Sequence, residues 1–123
     1  MANPNIVAVT SIYGSTSYLI PSTTAATTWT ALTPATNTVN KIDNIVASNV
    51  TSSAATVTVS INSATGGAGT AYRIAYQISV PPNASLIITD KTTAFYVGEG
   101  QSVVVTVGTA SAIELTASLE AIS

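Results

Sequence analysis

The chain has 123 residues, 12.4 kDa, and is one domain on the usual length prior. Only 7% of its residues are charged, three Lys+Arg against five Asp+Glu, and it holds no His and no Cys. These counts disfavour His- or thiolate-based catalysis, exclude Cys-based zinc sites and disulfide frameworks, and leave too few cations for a nucleic-acid footprint. Residues 5–13 read as strand-like up to Gly14, and 17–20 as a second short extended piece closed by Pro21. Residues 22–38 are a low-complexity Ser/Thr/Ala run, with a short strand expected at 29–32 and Pro34 confining it to an edge. From Val39 the pattern sharpens. In 39–50 the apolar parity slips between Ile42 and Ile45, which predicts a bulge near Asp43-Asn44. Residues 55–62 alternate with Val57, Val59 and Ile61 on one face. A Gly-rich loop at 64–69 follows. Then Tyr72, Ile74, Tyr76, Ile78 and Val80 are expected on one face, the tyrosines filling core with their hydroxyls at the sheet margin. Strands at 85–90, 93–97, 101–107 and 113–121 complete the series, with turns at Pro81-Pro82-Asn83-Ala84, Gly98-Glu99-Gly100 and 108–112.

Thr, Val and Ile supply 46 residues, by counts of 21, 13 and 12. Their stiff, β-branched side chains suit a pleated, half-buried surface. About seven clear strands at 8- to 16-residue spacing, two or three weaker ones before them, and clean alternation predict an all-β, antiparallel sandwich, jelly-roll or immunoglobulin-like Greek key. Residues 39–123 form that sandwich. Residues 1–38 are expected as an extended N-terminal arm, packed on the chain's own sandwich or on neighbours.

No catalytic set emerges. Without His, a Ser nucleophile has only Lys41 or Lys91 as base, and neither lies in a Ser-x-x-Lys arrangement. Glu114 and Glu120 share a strand face but are roughly 20 Å apart at strand rise, too far for a glycosidase pair. Asp43, Asn44 and Asp90 are too isolated for a calcium loop. The Gly66-Gly67-Ala68-Gly69 stretch lacks the Gly-Lys-Ser/Thr ending of a phosphate loop. Asn49-Val50-Thr51 and Asn83-Ala84-Ser85 match the glycosylation triplet, a frequent coincidence in a Ser/Thr-rich chain. The chain is therefore expected to be non-enzymatic and to need no cofactor or metal.

Mean hydropathy is +0.46, yet no apolar run approaches the roughly 20 residues of a membrane span, and the first residues do not read as a signal peptide. An apolar, nearly ion-free β surface points to coverage by neighbours, because exposed sheet edges are usually protected by charge. Candidate partner-facing residues are Ile6, Val7, Tyr13, Tyr18, Trp29 and Leu32 in the first third, aromatic and aliphatic anchors of the kind interfaces favour.

Several segments resemble small structural proteins of tailed bacteriophages, especially cyanophages. These are Ala2-Asn3-Pro4-Asn5-Ile6-Val7 with Ser11-Ile12-Tyr13-Gly14, Lys41 to Val50, Ala71 to Ala75, Ser79 to Leu86 with Asp90-Lys91, and Ser118 to Ser123. The likeness leaves out about residues 15–38, and Gly98-Glu99-Gly100-Gln101 carries fewer acids than the pattern. The resemblance implies a virion protein made in the host cytoplasm. It implies a decoration or cement role on the shell, with the major capsid protein or other virion proteins as partners, in a homo-oligomer or multi-copy lattice without nucleic acid or membrane. A neck, tail or fibre position and a carbohydrate-binding module are the alternatives.

Overall fold

A computed structural model of the chain describes residues 9–123, so the expectations at Ile6 and Val7 lie outside the described residues. Nine strands follow in order: β1 Ile12–Leu19, β2 Thr27–Thr28, β3 Val39–Asn49, β4 Ala55–Asn62, β5 Ala71–Val80, β6 Ser85–Thr89, β7 Phe95–Val97, β8 Ser102–Val107 and β9 Ile113–Ile122. Every ladder is antiparallel. Sheet A runs β1-β9-β3-β6, with β7 also on β3, and sheet B runs β2-β8-β4-β5.

This order decides between the two sandwich topologies left open by the sequence. β6 pairs with residues 45–48 of β3 and β7 with residues 40–42, so the two lie end to end along one edge and act as one interrupted strand. Counted that way there are eight strands, paired first with last, second with seventh, third with sixth and fourth with fifth. That is one long hairpin rolled into two four-stranded sheets, the jelly roll. The roll is fastened where the described chain begins and ends: Thr10 and Ser11 N–H groups donate to the Ser123 carbonyl at 2.6 and 3.0 Å, and Ser123 N–H returns a bond to Ser11.

The core lies between the sheets. Val57 and Val59 of β4, Val103, Val105 and Val107 of β8, and Ile113, Leu115 and Ala117 of β9 are all but fully buried, matching the expected alternation. The expected bulge in β3 is present: Ile42 faces Leu119 and Asn44 faces Ser118, leaving Asp43 as the extra residue. Gly66, Gly67 and Gly69 of the Gly-rich loop hold positive φ. A Cβ on Gly67 would come within 2.6 Å of Thr28 Oγ1, so only glycine lets this loop close over β2.

Residues 9–38 pack on the chain's own sandwich, one of the two placements expected for the first third, and do so as strands of its sheets. β1 pairs with β9 through eight residues, and β2 pairs with β8. β1 runs through Gly14 rather than stopping there, because Gly14 sits opposite Glu120 on an open edge where extended backbone is unhindered. Residues 30–32 form a one-turn 3-10 helix, not a strand. This turn places two of the candidate partner-facing residues. Trp29 (1% exposed) and Leu32 (0%) insert between the sheets and are unavailable to a partner. The Trp29 indole N–H donates to Ser17 Oγ at 3.0 Å, tying β1 to the core. Asn40 Nδ2 donates to the Leu32 carbonyl at 3.0 Å and fixes the turn.

Beyond this turn, residues 33–38 are held by Glu99, a buried residue whose Oε1 accepts from the Asn37 N–H. Replacing Trp29 by Ala removes a large fully enclosed side chain, and a loss of about 3–5 kcal/mol of folding stability is expected in urea denaturation. Deleting residues 1–38 strips both Trp29 and Leu32 from the core and uncovers β9; the expected circular-dichroism result is an unfolded chain.

Candidate partner interface

The residues weighed as candidates for chemistry make structural hydrogen bonds. The Gly66-Gly67-Ala68-Gly69 loop spends its polar groups internally: Gly67 N–H donates to Ser102 Oγ, and the Gly67 carbonyl accepts from Asn62 Nδ2. Asn49, of the first glycosylation triplet, is 2% exposed. Both hydrogens of its amide are committed, to the Ser53 carbonyl at 2.8 Å and the Val80 carbonyl at 3.0 Å. A glycan has no access to that nitrogen. Asp90 accepts from both the N–H and the hydroxyl of Thr92 at 3.0 and 2.6 Å, capping the 91–93 turn. These hydrogen bonds, the Thr92 hydroxyl first, hold its carboxyl below the ordinary 3.8.

Charge is gathered in one place. Lys41, Asp43, Lys91 and Glu120 border a single depression on the outer face of sheet A. The Lys41 ammonium stands 3.8 Å from Asp43 and 3.9 Å from Glu120. Pairs this exposed contribute at most about 1 kcal/mol. Beyond these four groups the sandwich edges carry Arg73 on β5 and Asp90 between β6 and β7.

Those edges carry the exposed apolar side chains. On the β1 side stand Ile12, Tyr13, Tyr18 and Ile20, each more than half exposed. Of the six residues singled out in the sequence, Tyr13 and Tyr18 are thus surface-facing, at 73% and 78%. Tyr18 and Ile20 rim a hollow of about 530 Å³ whose floor is Leu19 and Leu115.

The opposite side carries a second apolar surface that the sequence reading missed. Ile61 and Ile74 of sheet B face Ile88, Phe95 and Tyr96 of sheet A across an open groove of about 290 Å³. Tyr72 and Tyr76, expected in the core, flank this edge at 60% and 58% exposure. The cause is a doubled bulge. Ile78, Ala75 and Tyr72 of β5 lie opposite Val57, Val59 and Ile61 of β4, three residues of β5 for every two of β4. Ala75, not Tyr76, therefore takes the place opposite Val59. At Gln77 the backbone turns to φ 48°, and its N–H donates to Thr58 Oγ1. The Arg73 guanidinium lies 5.3 Å from the centre of the Tyr76 ring, in cation–π range. The signal available in the sequence was Arg73 itself, a charge amid apolar alternation at an edge.

Among the described residues no three His, Cys, Asp or Glu side chains gather as metal ligands, and no helix is long and apolar enough to cross a membrane. Because Tyr72 and Tyr76 are surface residues, Ala at either position is expected to change folding stability by no more than about 1 kcal/mol in denaturant titration. For Asp90→Asn, the stability difference from the parent is expected at neutral pH, where the carboxylate keeps its two Thr92 bonds. It fades as pH falls below 3.8 and through the lowered pKa, which paired acid-unfolding curves measure. No family model, curated protein or solved structure matches this chain.

Proposed function

We propose that the protein is a non-enzymatic structural component of a phage particle, a decoration or cement protein that sits on the shell and joins neighbouring subunits. The observation that carries this reading is the pair of apolar, aromatic edges on opposite sides of one sandwich, β1 on one side and the β5–β6–β7 groove on the other. Sheet A separates them by three strand spacings, roughly 14 Å. A body with two such edges can touch two neighbours at once. Stable contacts bury about 1,200–2,000 Å² in total, and repetition over a lattice multiplies weak ones. The scarcity of ions suits interfaces that would otherwise bury unpaired charge. The likeness of the strand and turn segments to tailed-phage virion proteins supports the same reading. The jelly roll itself is neutral, since capsid and lectin domains both use it.

A second reading is favoured by one specific observation, the exposed Tyr72, Arg73 and Tyr76 cluster, which has the amphipathic surface of a sugar platform. All five tyrosines lie within strands, yet all are exposed or nearly half exposed, so strand placement does not argue against glycan contact.

Quantitative mass spectrometry of purified particles tests the first reading. A copy number in the hundreds is expected for the shell, whereas roughly six to twelve assigns the protein to a neck or tail ring. Absence from the particle overturns the proposal. A dose-dependent signal of the purified chain on a glycan array, lost in Tyr72→Ala and Tyr76→Ala, selects the carbohydrate-binding module instead.

A further inference from the structure

We infer that β1 is a self-pairing edge: two copies of this chain join β1 to β1 antiparallel, about a two-fold axis perpendicular to sheet A through Thr16. The inference deepens the two-edge reading by naming the occupant of one edge, a second copy, and its test uses the isolated chain alone.

The first argument compares edges. Among the described residues the two sheets end in β1, β2, β5 and the β6–β7 line. β2 is two residues long. β5 is kinked by two bulges and carries Arg73. The β6–β7 line is interrupted at Asp90–Ala94, where Asp90 and Lys91 stand. Short strands, bulges and charges are the devices that keep sheet edges from pairing. β1 has none of them. Its eight residues, Ile-Tyr-Gly-Ser-Thr-Ser-Tyr-Leu, pair with β9 without a register shift and include no charge and no proline. Six of the eight are exposed.

The second argument is register. A two-fold axis perpendicular to a sheet keeps each face on its own side, so only residues of like parity meet across it. With the axis at Thr16, Thr16 meets Thr16, Ser15 meets the second copy's Ser17, Gly14 its Tyr18, Tyr13 its Leu19 and Ile12 its Ile20. Hydroxyl stands by hydroxyl and apolar by apolar. The Tyr18 ring covers the gap left by a glycine, a pairing that stabilises edge glycines. Moving the axis to Ser15 keeps one apolar pair, Ile12 with Tyr18, but sets Tyr13 against Ser17 and Leu19 against Ser11.

The third argument is electrostatic. The acid nearest the centre of β1 is Glu120, opposite Gly14 on β9. In the pair, the two Glu120 residues are three strand spacings apart sideways and four residues apart lengthwise, roughly 20 Å in all. This exceeds the screening length of about 8–10 Å, so like charges do not oppose the union. The product is one continuous eight-stranded sheet with a β5–β6–β7 groove free at each end.

Because the chain has no cysteine, single-Cys variants read the register directly. In the pair the two Thr16 Cα atoms lie about 4.5–5.5 Å apart, within disulfide range, whereas the two Tyr18 positions are roughly 14 Å apart. Full-length Thr16→Cys is expected to form a disulfide dimer under mild oxidation, and Tyr18→Cys to remain monomeric on non-reducing gels. In analytical ultracentrifugation the parent chain is expected as a dimer. Thr16→Lys, which sets two ammonium groups face to face, is expected as a monomer with an unchanged circular-dichroism spectrum. A monomeric parent at all concentrations, equal cross-linking of the two Cys variants, or a dimeric Thr16→Lys overturns the inference. A dimer that never occurs in particles leaves it standing and removes only the virion reading.

Discussion

The molecule depends on the hydrogen-bonded seam at β9. This last strand is the interior of sheet A, flanked by β1 over eight residues and by β3 over nearly its whole length. Its inward side chains, Ile113, Leu115, Ala117 and Leu119, form a floor on which the other sheet closes. The chain has no cysteine for a disulfide, and among its described residues there are two weak ion pairs and no cluster of three His, Cys, Asp or Glu side chains. Stability therefore rests on burying β-branched side chains between two ladders that satisfy nearly all the backbone polar groups. The fold is then dominated by contacts between residues far apart in sequence, such as Ile12 with Ile122, and such topologies fold slowly.

The same constraint explains the surface. A sandwich has two inner faces to fill and four edges to finish. This chain fills the inner faces with Val, Ile, Leu and one Trp, and leaves the β1 and β2 edges without ions, with Arg73 on β5 and Asp90 and Lys91 between β6 and β7. Half of its charged residues, Lys41, Asp43, Lys91 and Glu120, sit around one depression on the outer face of sheet A. What remains at the periphery is tyrosine, isoleucine, serine and threonine. Tyrosine brings large contact area with a polar tip, and suits surfaces that are wet when free and dry when joined.

Strand-level structure was legible where periodicity is local. Val103, Val105 and Val107 of β8 and Ile113, Leu115, Ala117 and Leu119 of β9 are buried as their spacing implies, and the slip from Ile42 to Ile45 marked the extra residue at Asp43. Three features were hidden because their causes are not local. The strand order that distinguishes a jelly roll depends on pairings across the whole chain. Trp29 and Leu32 lie in a Ser/Thr-rich stretch whose composition suits core-capping loop and partner-facing arm equally. Only the indole bond to Ser17 and the Asn40 bond to Leu32 distinguish them. Tyr72 and Tyr76 keep perfect two-residue spacing with their neighbours, yet a paired strand with two fewer residues per span turns that spacing into exposure. Of the exposed apolar side chains, Tyr13 and Tyr18 had been named from the sequence, and those of the β5–β6–β7 groove had not.

The union of the first strand with the last also has a consequence for biosynthesis. β1 leaves the ribosome some 100 residues before β9 is made. At translation rates of about 5–20 residues per second this is an interval on the order of 5–20 s. During that interval β1 has no intramolecular mate, so sheet A cannot close until β9 has been made. On a polysome, a β1 still waiting is within reach of β9 from a neighbouring nascent chain, and an exchange of terminal strands is the characteristic assembly error of such a roll.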